Sequence, residues 1–237
     1  MQNLLSHVRL SVERDDLLRS MGYPDPSRVS EPVRRVCAQQ IERLPDLVQP
    51  WGTCAEVAIV CAGRHRVDLA SGATLHSRRL AALVRGARSL QICLVTLGAA
   101  VSAETERLMA ANAAVDAFAL ACAATVATHG LVAHLRQRIC ADAERHGCSA
   151  TYPYGPGYTG WELRDLPQLF GRFTDPSVPV RLNEQWMMTP PHSLLVVMGL
   201  VPGRQRQRHE LVPCRVCDLD PCSLRRAPWR RQPDASQ

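Results

Sequence analysis

The feature that most constrains this chain is a long, alanine-rich helical pattern that runs from Asn112 to Arg145. Alanine has the highest helix propensity of the common residues, so the composition alone favours a helix here. Small residues lie on several faces of the pattern, which indicates close packing on both sides. Gly147 occupies the position just beyond the end, where glycine is common. The stretch therefore predicts one long helix that other elements cover.

The rest of the chain alternates between helical and extended patterns. LQICLVTL, at Leu90 to Leu97, is a continuously apolar run typical of a buried strand, and Gly98 closes it. Further helical patterns cover residues 11–23, 31–47, 77–84, about 101 onward and 163–173, and further strand patterns cover 54–61, 67–69, 178–182 and 194–200. Strands interleaved with helices and hairpins predict an α+β fold with a mixed or antiparallel sheet.

The basic residues are all arginine, and the chain has no lysine. The absence of lysine excludes a Schiff-base lysine, and with it the usual lysine-anchored pyridoxal phosphate chemistry. It also excludes the phosphate-binding lysine of a P-loop. Aromatic residues make up only 5 % of the chain, so the core is expected to consist mainly of leucine, valine and alanine. Cys37, Cys61, Cys93 and Cys122 lie on apolar faces and are expected to be small core residues.

The C-terminal segment differs from the rest in charge and in cysteine spacing. Residues 204–231 carry eight arginines against three acidic residues, which is +5 of the net +6. We therefore expect a globular domain at 1–203 and a basic tail at 204–237. Cys214, Cys217 and Cys222 form a C-x2-C-x4-C pattern, and thiolates this close usually bind a metal. Zinc with His209 as a fourth ligand, an iron–sulfur cluster and unmetallated thiols all remain open.

The location and partners of the chain are constrained by its start and by its tail. The first residues are polar and mixed in charge, and no uninterrupted apolar run reaches membrane length. Ten cysteines without a secretion signal indicate reduced thiols, so we expect a cytoplasmic protein without a membrane partner. A third alternative is a zinc-stabilised basic module that binds nucleic acid. The sequence favours it least, because Trp229 is the one aromatic residue of the tail on which a base could stack.

Four sequence blocks occur in an order that resembles one known family. They are LLRSMGYPDP near the start, LQICLVTLGAAV with its alanine-rich helix, PGYTGWELRDLPQLF from Pro156, and VRLNEQWMMTPPHSLLVVMGLV from Val180. Together they span nearly the whole chain, and the third and fourth are the specific ones. On these blocks the chain resembles a free-standing relative of the activation, or reactivation, domain of cobalamin-dependent methionine synthase.

The resemblance implies a ligand site. In the family, a Pro-Gly-Tyr loop lies where S-adenosylmethionine and the corrin ring meet, and the matching residues here are Pro156, Gly157 and Tyr158. The fourth block supplies Glu184 as an acidic ligand contact or a structural residue, and Met188 as a ligand contact or a core residue. The cobalamin would be carried by a partner, since the chain lacks an Asp-x-His-x-x-Gly cobalamin-ligand motif.

The implied function is reactivation of a corrinoid methyltransferase, or of a methionine synthase that lacks its own activation domain. The chain would dock on the cobalamin domain of its partner and support reductive methylation of cob(II)alamin with S-adenosylmethionine, and a flavodoxin- or ferredoxin-type protein would supply electrons. Whether the chain is itself an enzyme stays open. The family loop usually carries an arginine for the ligand carboxylate where this chain has Pro153. Pro153 favours the alternative of a non-catalytic adaptor or iron–sulfur electron relay that does not bind S-adenosylmethionine.

Overall fold

The computed structural model describes residues 1–23 and 25–203. Two short 3-10 turns accompany six α-helices and eight β-strands in these residues. The helices are α1 (Arg14–Ser20), α2 (Glu31–Leu47), α3 (Arg78–Leu83), α4 (Ala100–Ala110), α5 (Ala114–Arg145) and α6 (Leu166–Phe170). The strands are β1 (Trp51–Ala62), β2 (Val67–Leu69), β3 (Thr74–Leu75), β4 (Ser89–Thr96), β5 (Cys148–Ala150), β6 (Arg181–Leu182), β7 (Met188–Thr189) and β8 (Ser193–Pro202).

Six of the strands form one antiparallel sheet in the order β3-β2-β1-β4-β8-β5. β4 lies near the middle and pairs over its full length with β1 on one side and β8 on the other. The strands β6 and β7 form a separate hairpin. This architecture confirms the predicted α+β class, and within the described residues the strand pairs are antiparallel.

The continuous apolar runs of β4 and β8 follow from the burial of both faces of the sheet. Alternate residues of a strand point to opposite faces, so each strand contributes to two cores. Cys93 and Met198 belong to a helical-face cluster that also contains residues of α1, α2, α4 and α5. Leu94 and Val197 belong to a loop-face cluster that contains residues of α3, α6 and the segment around Tyr154. The residues of α3, α6 and the segment around Tyr154 therefore pack on side chains of β4 and β8.

Helix α5 is the predicted long helix, and it begins two residues later than the sequence pattern suggested. Asn112 adopts a positive φ of 57° between α4 and α5, and Gly147 ends α5 with a φ of 66°. By length and composition α5 could cross a membrane, but 61 % of its most apolar window is buried inside the fold. Its small residues contact the sheet and the N-terminal helices, which explains why apolar residues occur on several of its faces.

Two predictions need correction, and a third lies outside the described residues. The strand predicted at 178–182 is reduced to β6 (Arg181–Leu182), because Pro179 has no N–H to donate to a ladder. Cys61 is exposed near the end of β1 and is not a core residue, whereas Cys37, Cys93 and Cys122 are buried as predicted. The tail at 204–237 lies outside the described residues, so the division of the chain at 203 stays a prediction.

Candidate functional site

The predicted loop, which we call the aromatic loop (residues 152–161), crosses the loop face of the sheet beside β8. Tyr154 exchanges two backbone hydrogen bonds with Val197, at N–O distances of 3.1 and 2.8 Å. Gly155 follows and lies against the backbone of β8, where a Cβ would be only 2.5 Å from the carbonyl oxygen of Leu195. Only glycine permits this approach. The loop is therefore attached to β8, which is the neighbour of β4 in the sheet.

Beyond this attachment, the loop closes on itself through its own backbone. The Gly157 N–H donates to the Trp161 carbonyl and the Trp161 N–H donates to the Tyr158 carbonyl, both at 2.9 Å. Gly157 has a φ of 88°, a conformation that glycine adopts without strain. Pro156 is buried, Gly157 is exposed and Tyr158 is half-buried. The three residues named from the sequence thus share one tight turn, in which Gly157 is exposed and Tyr158 is partly exposed.

Contacts among the rings of Tyr154, Tyr158 and Trp161 stabilise the turn. The Tyr154 ring lies 5.5 Å from the Trp161 ring and 6.0 Å from the Tyr158 ring, the latter pair nearly perpendicular at 76°. The buried Tyr154 hydroxyl donates to the Thr159 carbonyl at 2.8 Å. Edge-to-face pairs of this kind add to the energy of burial. The position of the Tyr158 ring is therefore fixed by the fold.

A buried carboxylate connects the aromatic loop to the segment before α3. Asp165 is 2 % exposed, and its Oδ2 accepts from Trp161 Nε1 at 2.9 Å and from the backbone N–H of His76 at 2.5 Å. The Nδ1 atom of His76 lies 3.5 Å from Asp165 Oδ1. A buried carboxylate requires several donors, and here they come from two separate segments. Asp165 therefore holds the loop and the start of α3 in one arrangement.

Helix α3 supplies two further contacts to the loop. Ser77 caps the helix by accepting from the Leu80 N–H at 3.0 Å, and its hydroxyl donates to the Gly160 carbonyl at 2.8 Å. Arg79 Nη1 donates to the Thr159 carbonyl at 3.2 Å, which brings a guanidinium group to the edge of the turn. A guanidinium is the side chain best suited to hold a carboxylate. Sequence reasoning missed Arg79, because it lies some eighty positions from the loop in the chain.

The hairpin of β6 and β7 carries the two other predicted site residues. Asn183 Oδ1 accepts from the N–H groups of Gln185 and Met187, at 3.0 and 2.8 Å, and so fixes the turn. Glu184 is exposed in this turn, and it forms no hydrogen bond or ion pair with any described residue. Met188 is half-buried and packs on the loop-face cluster, as Tyr158 does. The fold thus places Met188 on the same cluster as the loop and leaves Glu184 at the surface.

The histidine of the same block, His192, lies between the hairpin and β8. Its carbonyl accepts from the Leu97 N–H at 3.0 Å, which joins it to the end of β4. Burial lowers the pKa of its imidazole, because the low-dielectric surroundings disfavour the charged form. Burial therefore favours the neutral form of His192.

The predicted metal ligands Cys214, Cys217 and Cys222 lie outside the described residues, and their role stays a prediction. Within residues 1–23 and 25–203, no group of three or more His, Cys, Asp or Glu side chains is arranged to hold a metal ion.

Comparison with known proteins identifies a similar fold among solved structures. No family model and no curated protein matches the chain. Among solved structures, the chain is similar to the crystal structure of the MetH reactivation domain bound to AdoHcy, with a TM-score of 0.56 and 12 % sequence identity. The match covers 74 % of this chain and 66 % of that chain, just under two thirds of its length. With this TM-score and so low an identity, the match shows a shared fold alone. The shared fold confirms the predicted activation-domain-like architecture.

Proposed function

We propose that the chain reactivates a corrinoid methyltransferase, such as a methionine synthase without an activation domain of its own. The observation that carries the proposal is the shared fold with a reactivation domain whose crystal structure contains AdoHcy. In the Pro156-Gly157-Tyr158 turn, named from the sequence by resemblance to the same family, Gly157 is exposed and Tyr158 is half-buried. The cytoplasm is the proposed location, since the corrinoid partner and its reductant work there.

The proposed ligand is S-adenosylmethionine, and the aromatic loop would be its main contact. Gly157 has no side chain, so a ligand can approach the backbone of the turn closely. Tyr158, supported by Tyr154, presents an apolar ring edged by a polar hydroxyl. Arg79, at the edge of the turn, would bind the ligand carboxylate that an arginine at position 153 would otherwise bind. Glu184 and Met188 would complete the surface from the hairpin.

The chemistry would be shared between this chain and its partner. S-adenosylmethionine supplies a methyl group, and the partner carries the cobalamin that receives it after a one-electron reduction. This chain's residues would hold the methyl donor on the Tyr158 side of the turn and cover the corrin, which excludes water from the reacting atoms. The tail at 204–237, with a zinc or iron–sulfur site at Cys214, Cys217 and Cys222, would dock on the partner or relay an electron from a flavodoxin- or ferredoxin-type protein.

A reductive methylation assay tests the proposal. The chain is added without oxygen to a cobalamin-dependent methionine synthase from which the activation domain has been removed, together with S-adenosylmethionine and a low-potential reductant. We expect the cob(II)alamin absorption to be replaced by that of methylcobalamin only when the chain is present. Tyr158→Ala should slow this conversion about tenfold, because one aromatic contact to the ligand is lost.

The matched control is Tyr23→Ala, which removes a half-buried tyrosine packed on the helical-face cluster, on the opposite side of the sheet. This variant should keep the rate of the unmodified chain. A chain that binds the truncated synthase but yields no methylcobalamin would overturn the methyl-donor role. That result would instead establish the adaptor function that Pro153 favours.

A further inference from the structure

Two cysteines lie face to face at the centre of the sheet. Cys54 of β1 and Cys93 of β4 are direct cross-strand partners, and their sulfur atoms are 2.9 Å apart. A disulfide bond is about 2.05 Å long, so the sulfurs need to approach by less than about 1 Å to form one. Neighbouring antiparallel residues have Cα atoms about 4.5–5.5 Å apart, which lies within the range that a disulfide spans. The bond would therefore form without moving the strands.

The two thiols differ in their access to solvent. Cys93 is 1 % exposed, and burial together with the neighbouring Cys54 thiol raises its pKa well above the usual range. Cys54 is half-buried, so it is the more exposed residue of the pair. Cys93 belongs to the helical-face cluster and Cys54 packs on it, so both lie on the opposite side of the sheet from the aromatic loop. Cys54 is thus the residue of the pair that an oxidant would meet first, and the Cys93 sulfur lies 2.9 Å from its sulfur.

We propose that Cys54 and Cys93 form a reversible disulfide with a peroxide as the oxidant. The Cys54 thiolate attacks one oxygen of hydrogen peroxide, which gives a sulfenic acid at Cys54 and releases water after protonation. The Cys93 sulfur then attacks the Cys54 sulfur, its proton leaves with the sulfenic hydroxyl as a second water, and the S–S bond forms. Two thiols are oxidised and one peroxide is reduced to two waters. A dithiol reductant restores the pair. This inference is independent of the proposed function.

Peptide mapping of the oxidised protein tests the proposal. Cleavage after arginine leaves Cys54 and Cys61 together on peptide 44–64 and leaves Cys93 as the single cysteine of peptide 89–107. The measurement is therefore made in a Cys61→Ala background, which changes an exposed side chain. Protein prepared without oxygen is treated with one equivalent of hydrogen peroxide, its thiols are blocked under denaturing conditions, and the digest is analysed without reductant.

We expect peptides 44–64 and 89–107 as one cross-linked species that disappears after dithiothreitol treatment. The far-ultraviolet circular dichroism should be unchanged, because the strands are already paired. Cys37→Ser, which alters a buried thiol elsewhere in the helical-face cluster, should leave the cross-link intact. Cys93→Ser should instead stop at the sulfenic acid of Cys54 with one equivalent of hydrogen peroxide, and a second equivalent should carry Cys54 to the sulfinic acid. Recovery of Cys93 as a blocked thiol in oxidised Cys61→Ala protein, or linkage of Cys54 to a different cysteine, would overturn the proposal.

Discussion

Replacing Gly155 with alanine is expected to lower the free energy of unfolding by about 2–4 kcal/mol. The added Cβ would lie 2.5 Å from the Leu195 carbonyl oxygen, a distance that real Cβ atoms do not tolerate. The loop would have to move away from β8, and the two hydrogen bonds between Tyr154 and Val197 would be lost or weakened. Urea unfolding monitored by circular dichroism measures the change.

Gly63→Ala is the control for this prediction. Gly63 lies in the turn between β1 and β2, and a Cβ there would meet its nearest neighbour, the Arg66 carbonyl oxygen, at an ordinary 3.6 Å. Its substitution should change the free energy of unfolding by less than about 0.5 kcal/mol. If Gly155→Ala were equally harmless, the close attachment of the aromatic loop to β8 would be wrong.

Replacing Asp165 with alanine should also lower the free energy of unfolding by about 2–4 kcal/mol, because it leaves one buried and one partly buried donor without an acceptor. Those donors are Trp161 Nε1 and the backbone N–H of His76, and both bind the same oxygen, Oδ2. The Trp161 ring would lose its fixed position, so the near-ultraviolet circular dichroism of the folded protein should weaken. Chemical unfolding and the near-ultraviolet spectrum together measure this effect.

Two further substitutions test whether the loss of stability in Asp165→Ala comes from the lost hydrogen bonds or from the removal of any carboxylate. Asp165→Asn retains one oxygen that can accept from both donors, so it should cost only about 1 kcal/mol. Asp142→Ala removes an exposed carboxylate from α5 and should be nearly neutral. A loss in Asp165→Asn as large as that in Asp165→Ala would contradict the view that Asp165 acts mainly as an acceptor for these two groups.

Much of this fold could be predicted from local patterns. The β4 run from Leu90 is apolar at almost every position because both faces of the strand are buried, and this signal is strong in any window. The alanine-rich α5 and the glycine-, proline- and tyrosine-rich loop were equally visible. The strand at 178–182 was overestimated, because apolar residues near Pro179 pack into the core without forming a ladder.

The contacts that build the site could not be predicted, because they depend on three-dimensional pairing. Gly155, the glycine that lies against β8, precedes the Pro-Gly-Tyr motif and has no motif of its own. Arg79 and Asp165 reach the loop from other elements, and a single sequence gives no distance between them. The register that brings Cys54 opposite Cys93 likewise appears only when β1 is aligned with β4.

Titration calorimetry on protein purified without oxygen measures whether the chain binds S-adenosylmethionine. We expect saturable binding in the micromolar range, competition by S-adenosylhomocysteine, and weaker binding after Tyr158→Ala or Arg79→Ala. Circular dichroism recorded on the same samples establishes that each variant is folded. Absence of heat from either ligand with folded protein would overturn the proposed methyl-donor role, and the shared fold would then serve a partner-binding role without a methyl donor.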